Sequence, residues 1–271
     1  MVEKPIPEIT NSDEVLIKIK SVGICGSDIH YYNEGRIGSQ VIEFPFTIGH
    51  ECSGIIEKTG SSVKKLKPGN RVAVDPSMPC FTCSQCRERR YHTCLNIKFL
   101  GCPGQAEGCL SEYIVMPESS CYKVDEGISF DMAALSEPLS IGLYATELAG
   151  SLQNKNIGIL GSGPIGISVL LMANSKKAGK IYMTDLIDER LELAKHLGAY
   201  RIWNASRSDI VDELTTDEPD LLDMVFECCG KQEAIDQALR ILKPGGMLLI
   251  VGIPSSNEWR FSAEVLRRKE I

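Results

Sequence analysis

The chain carries 271 residues with a formal net charge of −7, 43% of them hydrophobic and 24% charged. That length holds two domains or one large one, in the proportions of an ordinary globular protein. The negative sign argues against a nucleic-acid partner, which needs a basic face. No apolar run approaches the roughly 20 residues of a membrane span, so no membrane partner is expected. Met1-Val2-Glu3-Lys4-Pro5 lacks the apolar core of a signal peptide, which makes a cytoplasmic location the expectation. In a reducing compartment, closely spaced members of the eleven cysteines favour metal binding over disulfides.

In chain order, residues 15–20 alternate apolar and polar and read as a half-buried strand. The motif Cys25-Gly26-Ser27-Asp28-Ile29-His30 follows at its end. Residues 53–57, 71–74, 112–116 and 121–124 read as further strands, with a turn at Lys67-Pro68-Gly69-Asn70. After Asp131 the texture changes. Residues 132–135 and 139–148 read as helical. Strands at 157–160, 180–184, 201–203, 223–226 and 247–251 then alternate with helices at 164–177, 188–197, 208–214 and 232–242. Such alternation implies a parallel sheet with helices on both faces. The expected class is therefore α/β, with a β-rich domain at 1–150 and a doubly wound one at 151–271. The adjacent Cys228 and Cys229 follow an apolar run and read as core thiols.

Gly161-Ser162-Gly163-Pro164-Ile165-Gly166 matches Gly-x-Gly-x-x-Gly between an expected strand and an expected helix, the context a dinucleotide site requires. The first glycine allows a tight turn, the second a close approach of backbone to pyrophosphate, and the third close packing of helix on strand. Pro164 suits the first helical turn, whose N-terminus favours phosphate charge. Asp185 stands at the end of the next strand, where a carboxylate accepts from the ribose 2′-hydroxyl and repels a 2′-phosphate. NAD is thus expected over NADP. Arg190 reads equally well as a contact to the adenosine or as a solvated helix residue.

Cys80, Cys83, Cys86 and Cys94 form C-x2-C-x2-C-x7-C. Four thiolates in one polar loop match a closed, tetrahedral, structural zinc site. Cys25, His50, Glu51 and Glu137 remain. A catalytic zinc takes about three protein ligands and keeps one position open. Taken one at a time, His50 reads as a buried structural histidine and Cys25 as a small core residue; the ligand reading comes from the motifs together.

Gly49-His50-Glu51-Cys52-Ser53-Gly54, followed by Gly60 and Val63, resembles the G-H-E-x2-G-x5-G-x2-V signature of the zinc-containing, medium-chain alcohol dehydrogenases. The four-cysteine loop and the Gly161 motif stand in that family's order over essentially the whole chain. Cys25 to Tyr32, Gly35-Arg36-Ile37 and Glu137-Pro138-Leu139-Ser140 look most like its sorbitol (L-iditol) and other polyol dehydrogenases.

The resemblance implies a GroES-like catalytic domain carrying two zinc ions, one catalytic and one structural, and a Rossmann domain carrying NAD. It implies hydride transfer from a polyol hydroxyl carbon to NAD, with zinc as Lewis acid. Cys25, His50 and Glu51 match catalytic-zinc ligands. Glu137 matches a glutamate that lies beside the metal or, in other branches, binds it directly, so the third ligand stays open between Glu51 and Glu137. Ser27 and His30 match proton-relay positions, with plainer readings as a turn residue and a surface histidine. Tyr31 and Phe99 are equally candidates for a polyol pocket and for aromatic core. A homo-oligomer, dimer or tetramer, is implied where the full fold is present.

Family members are usually longer. The fifth Rossmann strand is expected at 248–253, the chain stops where a sixth should begin, and Ile6-Pro7-Glu8-Ile9 reads as the end of a first strand. The fold is thus expected to lack terminal segments, with an exposed sheet edge prone to pairing. The rival functions are another zinc dehydrogenase, for an alcohol, threonine or a short diol, and a non-catalytic zinc- and nucleotide-binding relative.

Overall fold

The computed structural model describes residues 3–254 and 258–271; Met1 and Val2, part of the stretch read for a leader, lie outside them. The chain forms two compact units, Met1–Glu137 and Pro138–Ile271.

In the first unit, β1 (Glu14–Gly23) runs into α1 (Gly26–Glu34). The two-residue strands β2 (Arg36–Ile37) and β3 (Gln40–Val41) form a hairpin. Then come β4 (Glu51–Thr59) and β5 (Arg71–Val74). The short pair β6 (Ser77–Met78) and β7 (Lys98–Phe99) brackets the cysteine loop and its one-turn helix α2 (Ser84–Arg87). β8 (Tyr113–Pro117), β9 (Cys121–Lys123) and α3 (Phe130–Ala134) complete it. The main sheet is antiparallel in the order β8-β1-β4-β5-β9. Its core follows period two where strands are regular: Ile114 and Met116 of β8 point inward with Val72 and Val74 of β5. β1 buries Val15, Leu16 and Ile17 in succession, because its register against β4 shifts between Leu16 and Ile17.

Helix α1 was not expected from the pattern. It starts because Asp28, three residues in, accepts the N–H of Cys25 at 2.9 Å. It stops at Gly35, whose left-handed φ of 68° lets its N–H return to Tyr31 O.

In the second unit, α4 (Ser136–Leu148) precedes β10 (Ile157–Leu160), α5 (Pro164–Ser175), β11 (Ile181–Asp185), α6 (Asp188–His196), β12 (Arg201–Asn204), α7 (Ile210–Asp217), β13 (Leu222–Glu227), α8 (Gln232–Ile241), β14 (Leu242–Ile250) and α9 (Ala263–Lys269). The sheet is parallel in the order β12-β11-β10-β13-β14. The chain builds outward from β10 to β12, then crosses to β13, which leaves a topological switch point between β10 and β13. Every residue of β10 is buried, as expected for a strand covered on both faces. Ile157, Ile159 and Phe226 pack on one side, and Leu160, Leu222 and Val225 on the other.

Three details differ from the sequence reading. The units part at Glu137/Pro138, ahead of the expected boundary near 150, because Ala145 and Ala149 of α4 belong to the second unit's core. β14 begins at Leu242, because Leu242 pairs with Leu222 before Lys243–Gly246 bulge out and Met247 resumes against Met224. Cys229 is exposed rather than packed, although Cys228 lies against the core. Among the described residues, no helix is long and apolar enough to cross a membrane.

Candidate active site

The metal-ligand candidates of the first unit meet where β1 and β4 pair. Gly23 stands opposite Glu51 in the register. A Cβ on Gly23 would lie 2.2 Å from Glu51 Oε2, so the bare glycine leaves room for that carboxylate. Cys25 follows as the cap of α1, and His50 directly precedes β4. One donor atom each from Cys25, His50 and Glu51 lies within 4.8 Å of the others. Glu137 is not part of that group. Phe99 packs on the His50 ring with centroids 5.5 Å apart, whereas Tyr31 is buried and donates its hydroxyl to Gln40 Oε1 at 2.9 Å. Of the two aromatic candidates, Phe99 is the one beside the cluster.

Asp28 ties this cluster together, and the sequence reading overlooked it. It is only 2% exposed. Its Oδ2 accepts the Cys25 N–H, its Oδ1 accepts the Gly49 N–H at 3.1 Å, and Oδ1 stands 3.8 Å from His50 Nδ1. One carboxylate thus fixes the backbone beside two donors that are far apart in sequence. The signal was available: an acidic residue three positions after a helix cap is the acceptor half of a capping box.

The electrostatics suit a cation. Burial pushes the Cys25 thiol up against hydrogen bonds from Ser27. Burial likewise pushes the Glu51 carboxyl up, opposed by His50 and by the Cys25 thiol. Glu137 is pushed up to about 7, chiefly by burial, with His50 opposing and Glu51 adding to it. Burial favours the protonated form of these acids, and a bound divalent ion reverses that preference. A thiolate, an imidazole and a carboxylate converging in this way fit zinc with one position left open. Ser27 and His30 lie three apart on α1, hence on one face. Ser27 is buried beside Cys25, and His30 Nδ1 meets Glu34 Oε1 at 3.2 Å.

Cys80, Cys83, Cys86 and Cys94 also place their sulfurs within 4.8 Å of one another. Sγ of Cys94 is 3.5 Å from that of Cys80 and 3.9 Å from that of Cys83. A tetrahedral zinc with Zn–S near 2.3 Å spaces sulfurs about 3.8 Å apart, so the cluster fits. The N–H groups of Cys80 and Asn96 donate to Cys94 Sγ. Hydrogen bonds from Thr82 bring Cys80 down to about 5, while burial pushes Cys86 up to about 12.

In the second unit, Gly161 takes a φ of 105°, and a Cβ on Gly166 would stand 1.9 Å from Gly161 O. Only glycine at both positions lets α5 approach the turn this closely. Gly163 caps α5 and Pro164 opens it, so the first-turn amides, including that of Ile165, face out of the helix end. Asp185 ends β11. Its Oδ2 accepts the Ser162 N–H at 2.7 Å, and its Oδ1 accepts those of Leu186 and Ile187 at 2.8 and 3.0 Å. Three amides leave one of the carboxylate's roughly four acceptor sites for a ribose hydroxyl. Arg190 Nη1 lies 3.9 Å from Asp185 Oδ2 and as far from a Cβ placed on Gly163, so its guanidinium stands over the glycine turn.

Residues 11–126 match the alcohol dehydrogenase GroES-like domain, and residues 164–271 match the zinc-binding dehydrogenase domain. Sorbitol dehydrogenase of Bacillus subtilis (strain 168) is 42% identical over 268 residues, covering 98% of this chain and 75% of that protein. Two solved structures share the fold. A zinc-binding dehydrogenase of Sinorhizobium meliloti 1021 bound to NADP has a TM-score of 0.88 at 29% identity, covering 98% of this chain and 77% of that one. An alcohol dehydrogenase of Escherichia coli CFT073 complexed with NADH has a TM-score of 0.88 at 28% identity, covering 99% and 77%. The one neighbour is bound to NADP and the other to NADH, so the shared fold accommodates either dinucleotide. With matches of this extent in both units, the chain belongs to the zinc-containing alcohol dehydrogenase family.

Proposed function

We propose that the chain oxidises a secondary hydroxyl of a polyol of the sorbitol or xylitol kind, with NAD as hydride acceptor. The observation that carries this reading is the convergence of Cys25, His50 and Glu51 on one point, in a chain so similar to a sorbitol dehydrogenase. Cys25, His50 and Glu51 hold the catalytic zinc, and Glu137 stands beside it. Cys80, Cys83, Cys86 and Cys94 hold a structural zinc. Bound zinc supplies Lewis acidity toward an alcohol oxygen, and bound NAD supplies the hydride acceptor.

The chain's own residues do the rest. Phe99 packs against the His50 ring beside the cluster. Ser27 Oγ accepts the hydroxyl proton as it passes its own to His30, which carries it outward. Glu34 holds the Nδ1–H of His30, which leaves Nε2 as the accepting nitrogen. The Gly161–Gly166 turn and the start of α5 receive the pyrophosphate, Asp185 the adenosine ribose, and Arg190 lies against the adenosine. Asp185 selects NAD, because a 2′-phosphate would meet its charge. The division of labour puts zinc and substrate in the β-rich unit and the dinucleotide in the parallel-sheet unit. A homo-oligomer, dimer or tetramer, in the cytoplasm completes the proposal; eleven cysteines without a disulfide among the described residues suit a reducing compartment.

Steady-state rates with NAD and sorbitol, xylitol, butanediol or threonine test the substrate class. Turnover of the two polyols is expected. Inert polyols beside a good rate on threonine would overturn it.

A further inference from the structure

β13 ends on Glu227, beside the switch point of the parallel sheet. Its carboxylate is fully buried. Oε1 accepts the N–H groups of both Cys229 and Gly230, each at 2.7 Å. Oε2 has no hydrogen-bond partner among the described residues. The end of β14 closes over it on one side: Val251 and Gly252 donate to Glu227 O, and a Cβ on Gly252 would stand 2.8 Å from Oε2 and 2.3 Å from Gly230 N. On the other side the Cys228–Gly230 turn lies on the first glycine of the dinucleotide motif. A Cβ on Gly161 would be 3.0 Å from Cys229 Cβ and 3.1 Å from Cys229 N, and Cys228 N–H donates to Leu160 O at 2.8 Å.

A buried carboxylate with one oxygen unpaired is a costly way to end a strand. Its two short amide bonds are of the strong, charge-assisted kind, and successive N–H groups on one anion form a rigid nest. The bonded turn is the wall of the Gly161 turn. We infer that Glu227 is a positioning residue for the dinucleotide: its carboxylate sets the height of the Cys228–Gly230 turn against Gly161 and so keeps the phosphate turn in its binding shape. This rests on the dinucleotide reading of the second unit.

The test is a fluorescence titration of the zinc-loaded full chain with NADH, paired with thermal melting, for wild type, Glu227→Ala, Glu227→Gln and Glu227→Asp. Glu227→Ala is expected to raise the NADH Kd by about tenfold, the loss of roughly one charge-assisted bond. Glu227→Gln keeps an acceptor for both amides and is expected within about threefold of wild type. A purely structural role would lower the melting temperature and leave the Kd unchanged; a cooperatively melting Glu227→Ala with the wild-type Kd therefore overturns the inference. If Glu227→Ala does not melt cooperatively, Glu227→Asp decides, since its carboxylate is one methylene short of the amides: weaker NADH binding supports the role, and a wild-type Kd overturns it. Wild type that binds no NADH removes the dinucleotide reading itself, a result distinct from either.

Discussion

The four-cysteine cluster draws every donor from one loop, Cys80 to Cys94, while the Cys25/His50/Glu51 cluster joins the end of one strand to the start of another. The first uses one kind of ligand and backbone N–H···S bonds from the same loop. The second mixes three ligand types, places each on a different backbone environment, and needs the buried Asp28 to hold them in register. The loop cluster depends on local chain geometry alone, and its four thiolates would close a tetrahedral ion's coordination. The assembled cluster depends on the whole β-rich unit, and its three donors would leave one such position open.

The contrast can be broken most sharply by removing one donor from each. Cys25→Ser is expected to lower turnover by roughly a thousandfold, several kcal/mol of lost Lewis-acid assistance, and to leave about one zinc per chain. Cys94→Ser should lose the other zinc and the melting temperature with it. Metal analysis alongside kcat decides, and full zinc content in Cys25→Ser would end the catalytic-zinc assignment. A smaller effect is expected from Asp28→Ala, which removes no ligand: zinc affinity at the assembled cluster should fall about 10- to 100-fold while the loop cluster is untouched. Competition with a chelator reads this, and equal loss at both clusters would mean a general folding defect. Smaller again, Asp185→Ala should relax the preference for NAD over NADP by about tenfold, read as the ratio of kcat/KM values. Unchanged discrimination would take Asp185 out of the account.

The smallest expected effect concerns an assembled site that uses no metal. Glu118 Oε1 accepts the N–H groups of Lys64, Lys65 and Leu66 at 3.0, 2.6 and 3.0 Å. Although its partial burial works the other way, these bonds hold its carboxyl below the ordinary value of 4.5. A group lowered on folding stabilises the protein above its unfolded value, and that stability is lost as pH falls through the folded value. Glu118→Gln should therefore melt slightly below wild type at neutral pH, and the gap should close in acid below about pH 4.5. A gap that stays constant with pH would show that the carboxylate charge contributes nothing.

What the sequence discloses follows the same division between local and assembled. The four-cysteine loop, the Gly161 motif and the strand–helix alternation after Ile157 are local patterns, and each element except the start of β14 stands within a few residues of its expected place. Helix α1 was hidden because Cys25 is an unusual cap and the turn reads polar; the stabilising acceptor, Asp28, acquires its second job only when Gly49 folds beside it. The chain between the two expected domains was the least legible stretch, because α4 has no local signal of which core it joins. Cys229 looked apolar by its neighbours, yet it lies two residues past the end of β13 and is exposed.

The pairing of Gly23 with Glu51 has one more consequence. Side chains alternate across a strand, so a slip of one residue between β1 and β4 would turn Glu51 to the opposite face and put a bulkier neighbour where Gly23 makes room. β1 carries two register shifts against β4, each an opportunity for such a slip. A mispaired chain would still close its cysteine loop but would lack the donor geometry at the assembled cluster. A divalent ion held by these three donors would favour only the correct register, so strand alignment and donor geometry stand or fall together.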